Sequence, residues 1–513
     1  MVDTGLALGV TVLTLAAFTA LGVWFSRGHV RSVEDFVSAR DSAGGGTLTA
    51  TLIASSMGAW ILLSPAEVGT SLGLTAVVGY GIGSAVPMAL YAVLGPRIRT
   101  LMPAGHSLTE YAHARYGPFM HGYVLLVSAS YMFIFLAAEL TGITTALGLV
   151  ADVPRWATAG LVGAFVLVYT AYGGLRASIV TDTVQTLLIL PLLVVGFAGA
   201  VLALGGTGQI HEQVLAANPA LLDPGFGTGL AAGFTFVLAI LGAEMLNQAW
   251  WQRIFAASDG ATLRRSFAVT AVAVVPMVVA AGLFGLVATG LGLVGEGQAS
   301  VAFFLVVDAA FPEWITLSVV VLATLLVMST TDTLFNALSS LVTADLPRLL
   351  DDPDRRTLTL GARLLTVAVA LGSVYVALAA RSVLALFLLA DLLAAATFVP
   401  LLAGLYSRRV TELGVLAAAV VGLAVGAAFF PDTNAALAGL LGAARLPAPS
   451  LLYAFVGAVA CSAGLTALAA GIGAARGRSY EFDRLERDVT RLGDAPAATD
   501  GGRDDTEPEV SDR

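Results

Sequence analysis

Residues 266–291 read SFAVTAVAVVPMVVAAGLFGLVATGL, a run that holds no charged side chain. A helix of about 20 apolar residues crosses the roughly 30 Å hydrocarbon layer of a bilayer. A barrel strand would alternate apolar and polar residues instead, whereas a helix satisfies its own backbone hydrogen bonds in lipid. This run therefore predicts a transmembrane helix.

Comparable apolar runs recur along most of the 513 residues, and we predict about 13 transmembrane spans. The spans lie near residues 5–26, 46–70, 73–96, 119–148, 157–174, 183–205, 228–250, 266–291, 313–340, 360–380, 383–406, 411–430 and 451–474. Only 12% of the residues are charged, whereas soluble domains carry roughly 25%. The sequence predicts an all-α polytopic membrane protein.

Arginine is distributed unevenly between the two sides of the predicted membrane. Clusters follow spans 1, 3, 7, 9 and 11, namely Arg27, Arg31, Arg40, Arg97, Arg99, Arg115, Arg253, Arg264, Arg265, Arg348, Arg355, Arg356, Arg408 and Arg409. Because basic loops stay in the cytoplasm, we expect a multi-pass protein of the cell membrane with its N-terminus outside and its C-terminus cytoplasmic. Residues 476–513 predict an acidic, partly disordered cytoplasmic tail.

Two predicted spans are interrupted by small and polar residues. Residues 51–60 read TLIASSMGAW and are followed by Ser64 and Pro65. Close helix packing through small residues would explain this composition, and so would an unwound helix that offers backbone carbonyls to an ion. Residues 242–253, GAEMLNQAWWQR, carry a similar interruption five spans later. Such a pair of interruptions points to the central site of a transporter built from inverted repeats.

Acidic and hydroxyl side chains also occur at predicted membrane depth. Residues 329–333 read STTDT; the hydroxyl groups can bond back to their own helix, but an intramembrane carboxylate such as Asp332 suggests a functional site. Oxygen ligands suit a hard cation such as Na⁺. Asp182, at the start of span 6, would also suit a helix N-terminus. Five further acids, which composition does not rank, are Glu67, Glu139, Glu244, Asp308 and Asp391.

The sequence carries no pattern that indicates an enzyme. A single cysteine, Cys461, excludes a disulfide framework and a cysteine metal site. Gly173 and Gly174 lack the strand context of a phosphate-binding loop. We therefore expect no enzymatic activity, no nucleic-acid partner and no obligate protein partner; the expected partners are a small-molecule solute and the lipid bilayer.

Several of these stretches resemble one family of membrane proteins. Residues 169–185, YTAYGGLRASIVTDTVQ, resemble the signature of the sodium/solute symporter family. Residues 54–60, ASSMGAW, with Ser329 and Thr330 are similar to its sodium/proline branch. Residues 247–256 resemble the seventh helix of the family, and residues 107–117 resemble its loop after span 3. The resemblance covers roughly residues 30–430.

The resemblance implies a leucine-transporter-type fold of two inverted five-helix repeats that works by alternating access. On that basis we predict five segments: a peripheral helix and cytoplasmic loop at 1–45, a first repeat at 46–206, a second repeat at 207–407, peripheral helices at 408–475, and the tail at 476–513.

The resemblance also implies cation sites for this chain. The family sodium site would fall on the carbonyl groups of Ala54, Met57 and Leu326 with the hydroxyl groups of Ser329 and Thr330. Some members have a second cation site, which here would use Asp182 and Ser329 with Asp332 and Thr333. Because Asp332 stands where those members use a hydroxyl, the two carboxylates would hold a second cation or share a proton. Na⁺ is the expected coupling ion.

The residues expected around the solute depart from two branches of the family. Ser56 stands where sodium/proline symporters carry an aspartate, and Trp60 and Ile61 stand where sugar carriers have Glu and Gln. The predicted solute residues are Trp60, Ser64, Glu67, Glu244, Asn247 and Gln248. Glu67 and Glu244 would favour a solute with a cationic group; alternatively, these residues line water at the rim of a vestibule.

The leading hypothesis is a sodium-coupled symporter that imports a small organic solute. An amino acid such as proline is the first candidate for this solute, and an organic anion is the second. An uncoupled uniporter or channel-like pathway for water or urea is the second class. A membrane receptor is the third, and the short tail argues against it.

Overall fold

The computed structural model describes residues 2–27, 37–349, 368–380, 382–440 and 446–489. These residues form helices and no β-strand, which confirms the all-α prediction. The first seven helices are α1 (Thr4–Ser26), α2 (Gly45–Ser56), α3 (Ser64–Leu101), α4 (Leu108–Arg115), α5 (Pro118–Ala151), α6 (Arg155–Ala203) and α7 (Gly206–Ala217). The remaining helices are α8 (Gly227–Met245), α9 (Gln248–Ala256), α10 (Gly260–Gly290), α11 (Ala302–Ala310), α12 (Glu313–Leu349), α13 (Ala368–Ala379), α14 (Val383–Ala395), α15 (Phe398–Ala403), α16 (Glu412–Phe429), α17 (Pro431–Leu440), α18 (Leu451–Ala475) and α19 (Asp483–Asp488).

Ten helices in this part of the chain are long and apolar enough to cross a membrane. The helix α6 contains the two predicted spans 157–174 and 183–205, with a kink at Gly174, whose φ of 54° suits glycine. Gly73, with a φ of 74°, marks a second kink in α3 and separates the end of predicted span 2 from span 3. The predicted span 360–380 begins outside the described residues, and α13 is its described part.

Small residues bring α3 close to its neighbours at the centre of the bundle. A Cβ on Gly285 of α10 would lie 1.9 Å from the carbonyl oxygen of Ala66 on α3. A Cβ on Gly79 of α3 would lie 2.3 Å from the Cα atom of Gly233 on α8. Membrane helices depend on such close packing, because lipid supplies little hydrophobic drive for their association. The backbone of α3 is therefore held directly against α8 and α10.

The predicted interruption of span 2 is a break in the helix. The helix α2 ends at Ser56, and the backbone is extended at Met57 and Gly58. A 3₁₀ turn at Ala59–Leu62 then leads into α3. Small residues and the proline that follows allow the chain to leave and re-enter helical geometry within this short distance.

The predicted interruption of span 7 is also a break. The helix α8 ends at Met245, and Asn247 begins α9 by accepting a hydrogen bond from the amide of Ala249 at 3.0 Å. Asparagine is a favoured residue at such a helix start. The segment boundaries at 45, 206, 407 and 475 stay predictions, and residues 28–36 and 490–513 of the expected loop and tail lie outside the described residues.

Candidate solute and cation sites

A buried ion pair lies where α2, α6, α9 and α12 meet. The Nη2 atom of Arg253 lies 3.1 Å from Oδ2 of Asp182, and neither side chain is exposed. Two charges in a medium of low polarity are tolerated when they pair and when hydrogen bonds satisfy their remaining atoms. The pair ties α9 to α6 in the middle of the bundle.

Hydroxyl groups from α2 and α12 surround this pair. The carboxylate of Asp182 accepts hydrogen bonds from Thr51 at 2.6 Å, Ser55 at 3.0 Å and Ser329 at 2.5 Å. The guanidinium of Arg253 donates to the same two hydroxyl groups of α2 and to Oγ1 of Thr333 at 2.9 Å. The two hydroxyl-rich stretches of the sequence therefore meet around one ion pair.

Asp332 forms a neighbouring group of hydrogen bonds. Its carboxylate accepts from Oη of Tyr169 at 2.7 Å and from Oγ of Ser178 at 2.8 Å, both on α6. The hydroxyl group of Thr333 lies 3.3 Å from the same carboxylate. Asp332 is fully buried, so α12 carries its acidic side chain toward α6 rather than toward lipid.

The predicted sodium ligands lie inside the bundle. All five are buried, namely Ala54, Met57, Leu326, Ser329 and Thr330. The end of α2 contacts α12, because Oγ of Ser55 lies 3.0 Å from Oγ1 of Thr333. The hydroxyl group of Thr330 has no hydrogen-bond partner among the described residues, which leaves its oxygen available to a cation. The sodium site stays a prediction that this arrangement permits.

The predicted second cation site already contains a positive charge. Oδ2 of Asp182 pairs with Arg253, and Asp332 is satisfied by donors on α6. A metal ion bound between these carboxylates would lie close to the guanidinium and would be repelled by it. Asp182, Asp332 and Thr333 are therefore brought together as predicted, but around a side-chain cation that the sequence reasoning did not place there.

A cavity adjoins this cluster at Ser55 and lies between the broken stretch of α2–α3 and α5, α8, α9 and α14. The space between its lining atoms, including the part that is open to solvent, is about 550 Å³. Its walls are aromatic, hydroxyl and acidic, and they include Trp60, Tyr80, Tyr131, Glu244, Trp250, Phe387 and Asp391. A cavity with apolar walls and a few polar groups is typical of a small-molecule site.

Glu244 is held by donors from two helices. Oη of Tyr131 on α5 donates to Oε1 at 2.9 Å, and Nδ2 of Asn247 donates to Oε2 at 3.1 Å. The indole Nε1 of Trp250 also donates to Oε2. These donors hold the carboxylate in place and occupy part of its capacity to accept hydrogen bonds.

Asp391 lines the same cavity from α14 and makes no hydrogen bond or ion pair with the described residues. Asp391 is only 5% exposed and is one of the residues that line the cavity. An acidic group at membrane depth normally has a partner or a functional role. Asp391 is therefore the acidic group of this cavity with the most capacity to bind a ligand.

The predicted solute residues do not all reach this cavity. Trp60 and Glu244 line it, and Asn247 lies behind Glu244 as one of its donors. Ser64 is buried beside the 3₁₀ turn and is not part of the lining.

Two predicted solute residues are engaged elsewhere. Glu67 accepts hydrogen bonds from Ser382 at 3.0 and 3.1 Å. Gln248 points toward the start of α4, where it accepts from the Leu108 amide at 2.9 Å and donates to the His106 carbonyl at 3.1 Å. Glu67 and Gln248 are therefore not among the residues that line this cavity.

Sequence reasoning missed most of the cavity wall. The sequence marks Asp391 as an acid in an apolar run without assigning it a role, and Tyr80, Tyr131 and Phe387 carry no local pattern that sets them apart from core residues. The one usable signal was the acidic group in residues 387–393, FLLADLL, because an intramembrane carboxylate suggests function.

Comparison with known proteins gives the sequence context of these sites. The profile of the sodium:solute symporter family matches residues 36–422. A spermidine transporter of Candida albicans is 26% identical over 397 residues, which are 77% of this chain and 73% of that protein.

Shorter matches involve urea transporters. A probable urea active transporter of Schizosaccharomyces pombe is 25% identical over 50% of this chain and 41% of its own length. A urea-proton symporter of Oryza sativa is 25% identical over 40% of this chain and 30% of its own length. This chain thus matches less than half of each urea transporter. These relatives do not support the predicted proline branch.

Among solved structures, a Na⁺-coupled sialic acid symporter in an outward-open state has a TM-score of 0.71 at 18% identity. The match covers 91% of this chain and 98% of the other. The likeness confirms the predicted leucine-transporter-type fold.

Proposed function

Because the chain belongs to the sodium:solute symporter family, we propose that it is a sodium-coupled symporter of a small organic cation, with an amine of the polyamine class as the best candidate. The observation that carries this proposal is Asp391, a carboxylate without a hydrogen-bond or ion-pair partner among the described residues, in an aromatic cavity that Glu244 also lines. The spermidine transporter among the relatives supports the same solute class.

The walls of the cavity favour a cationic group. The ring of Trp60 lies 5.8 Å from that of Tyr80 and 6.2 Å from that of Phe387, measured between ring centroids. Aromatic faces attract ammonium groups, most strongly where water is excluded. Asp391 would form a charge-assisted hydrogen bond with the ammonium group, and Glu244 would add a second negative charge.

Urea is the second candidate, because several relatives are urea transporters. The N–H groups of urea could also donate hydrogen bonds to carboxylate oxygens. Urea is neutral, however, and gains little from two carboxylates or from aromatic faces that attract cations. The charge of the cavity therefore ranks an amine above urea.

Sodium binding at the break after α2 is the proposed coupling step. The ligands would be the carbonyl groups of Ala54, Met57 and Leu326 with the hydroxyl groups of Ser329 and Thr330. An ion shared by α2 and α12 would stabilise the conformation in which these helices are close together, and a ligand shifts an equilibrium only through such a difference in affinity. Solute binding at the neighbouring cavity would then be linked to sodium binding.

Orientation is part of the proposal. The distribution of arginine favours an N-terminus outside and a C-terminus in the cytoplasm, and uptake would then run from the outside toward the Arg-rich side. In the same proposal, boundaries at 45, 206, 407 and 475 would divide the chain into the two repeats and the peripheral helices.

Uptake by purified protein in liposomes tests the solute and the ion together. Radiolabelled spermidine, urea and proline are each offered with an inward sodium gradient or with choline in its place. We expect sodium-stimulated spermidine uptake in the wild type and its loss in Asp391→Asn, with Asp308→Asn, an exposed acid of α11, as the matched control. Sodium-driven proline uptake, or full spermidine uptake by Asp391→Asn, would contradict the proposal.

A further inference from the structure

Glu139 lies in the middle of α5, and its side chain points at the break between α2 and the 3₁₀ turn. Oε2 accepts a hydrogen bond from the amide of Ala59 at 2.7 Å. The residue is fully buried. A carboxyl group of α5 is thus in contact with the segment that a transporter of this fold must move.

The absence of a side chain at Gly58 makes room for this contact. A Cβ on Gly58 would lie 2.1 Å from Oε1 of Glu139 and 2.4 Å from its carboxyl carbon. The carboxyl group therefore packs directly against backbone. The glycine of the sequence ASSMGAW is explained by this neighbour rather than by a positive φ, because its φ is −92°.

The second oxygen of Glu139 is unsatisfied. Oε1 is buried and has no hydrogen-bond partner among the described residues. An ionised carboxylate is costly away from water unless hydrogen bonds or a cation compensate it, and a neutral acid avoids most of that cost. The Glu139 carboxylate faces the backbone amides of Ala59 and Trp60 and, in the part of the chain that the structure describes, has no ion pair.

Three other buried acids of the bundle, Asp182, Asp332 and Glu244, are compensated. Asp182 has Arg253 and three hydroxyl groups, and Asp332 has donors on both oxygens. Glu244 has three donors. Glu139 differs from these three acids because its Oε1 atom accepts no hydrogen bond from the described residues.

The titratable groups on helices packed against α5 make their contacts elsewhere. They include Arg155 with Thr144 and the Ala377 carbonyl, Asp345 with His121 and Thr109, Glu110 with His106, Arg115 with the Gly404 and Ser407 carbonyls, Glu412 with the first amides of α5, Asp332 with Tyr169, Asp182 with Arg253, and Asp391 at the solute cavity. Arg176 on α6, His113 on α4 and Asp308 on α11 each have interactions of their own. None of these contacts supplies a cation to the Glu139 carboxylate.

We propose that Glu139 is a proton-binding site that couples proton uptake to movement of the broken helix. Water on the outer side would give a proton to the carboxylate, and the resulting carboxylic acid would later release it to water on the inner side. This inference rests on the proposed transport function and adds a second coupling ion to it. The urea-proton symporter among the relatives shows that one protein similar to this chain is described as proton-coupled.

The physical link is the contact with Ala59. In the described conformation the carboxyl group holds the start of the 3₁₀ turn against α5. Gain or loss of the proton changes both the charge and the hydrogen-bonding capacity of the group that makes this contact. The proton would therefore favour one position of the turn over another, as any ligand does that binds two states unequally.

Liposomes that contain pyranine, a fluorescent indicator of internal pH, test this assignment with spermidine as the probe. Counterflow, the exchange of labelled for unlabelled spermidine at equal pH, reports transport without a proton gradient. In the wild type an acidic outside, with sodium absent, is expected to raise spermidine accumulation and acidify the interior. In Glu139→Gln, whose amide oxygen can still accept from Ala59, we expect counterflow to persist and both proton responses to be lost.

Two further variants make the result specific. Glu139→Asp keeps a titratable group and is expected to retain a proton response with a shifted pH profile. Glu412→Gln changes a carboxylate that likewise accepts backbone amides, at the start of α5, and is expected to behave as wild type.

The outcomes separate the two proposals. Wild-type counterflow without any response to the proton gradient, or an unchanged response in Glu139→Gln, would overturn the assignment of Glu139 alone. Absence of spermidine counterflow in the wild type would overturn the proposed solute and with it this inference.

Discussion

Tyr131 of α5 donates its phenolic hydrogen to Oε1 of Glu244 across 2.9 Å, and so connects α5 to the end of α8 at the wall of the cavity. Asn247 and Trp250, beyond the break, donate to the other oxygen of the same carboxylate. Asp391 on the facing wall has no comparable set of donors among its identified contacts. The two acids of the cavity should therefore respond differently to loss of charge.

We expect Glu244→Gln to lower the stability of the protein and Asp391→Asn to leave it nearly unchanged. The NH₂ group of the new glutamine would face hydrogen-bond donors that now point at the carboxylate, such as Asn247 and Trp250. An unsatisfied buried polar group costs about 1–3 kcal/mol. Thermal unfolding in detergent measures the difference between the two variants. Equal destabilisation by both substitutions would show that Asp391 has a structural partner.

Replacement of Arg253 should be among the most destabilising changes in the bundle. Arg253→Gln leaves Asp182 buried without its cation, and removal of one partner of a buried pair costs about 3–5 kcal/mol. The double variant Arg253→Gln with Asp182→Asn removes both charges and should recover much of that loss. A double-mutant cycle in thermal unfolding measures the coupling; additive effects would contradict it.

Removal of the unpartnered hydroxyl group of Thr330 should weaken sodium dependence specifically. If the oxygen contributes about 1.4 kcal/mol to ion binding, Thr330→Ala raises the half-saturating sodium concentration ~10-fold, and Thr330→Ser retains the wild-type value. Sodium titration of spermidine uptake measures this. Thr324→Ala is the matched control, because that hydroxyl group bonds to the Val320 carbonyl of its own helix. Equal effects at both positions would argue against a sodium ligand at Thr330.

A methyl group at Gly285 should force α3 and α10 apart. The new Cβ would meet the Ala66 carbonyl oxygen at 1.9 Å, and overpacking of this kind costs about 1–3 kcal/mol. Gly122→Ala, on a face of α5 where a Cβ meets nothing within 4 Å, should be neutral or slightly stabilising because alanine favours helix. Thermal unfolding compares the two, and similar melting temperatures would contradict the proposed tight contact.

The broad architecture could be predicted from the sequence because its causes are local. Runs of apolar residues predict helices, and the small and polar residues at 54–60 and 242–248 predict where helices break. Two predicted boundaries between spans coincide with kinks, at Gly174 in α6 and at Gly73 in α3, whereas the break after Ser56 falls inside the predicted span 46–70. Helix boundaries depend on kinks that hydropathy does not resolve.

The sites could be predicted only in part, because side chains from distant segments decide them. The hydroxyl groups of α2 and α12 do meet. The sequence predicts Arg253 in a cytoplasmic cluster of arginines, whereas its side chain lies buried between these hydroxyl groups. Glu67 and Gln248 were placed at the solute from their position beside the breaks. Their side chains turn toward Ser382 and the start of α4 instead, which no local pattern reveals.

The ion pair of Asp182 and Arg253 has an electrical consequence. Opposite charges 3.1 Å apart experience nearly equal and opposite forces from a transmembrane voltage, so the field exerts little net pull on the pair. Driving force from the voltage would then act chiefly on whatever charge travels with the cargo, and the current per turnover would report how many charges cross.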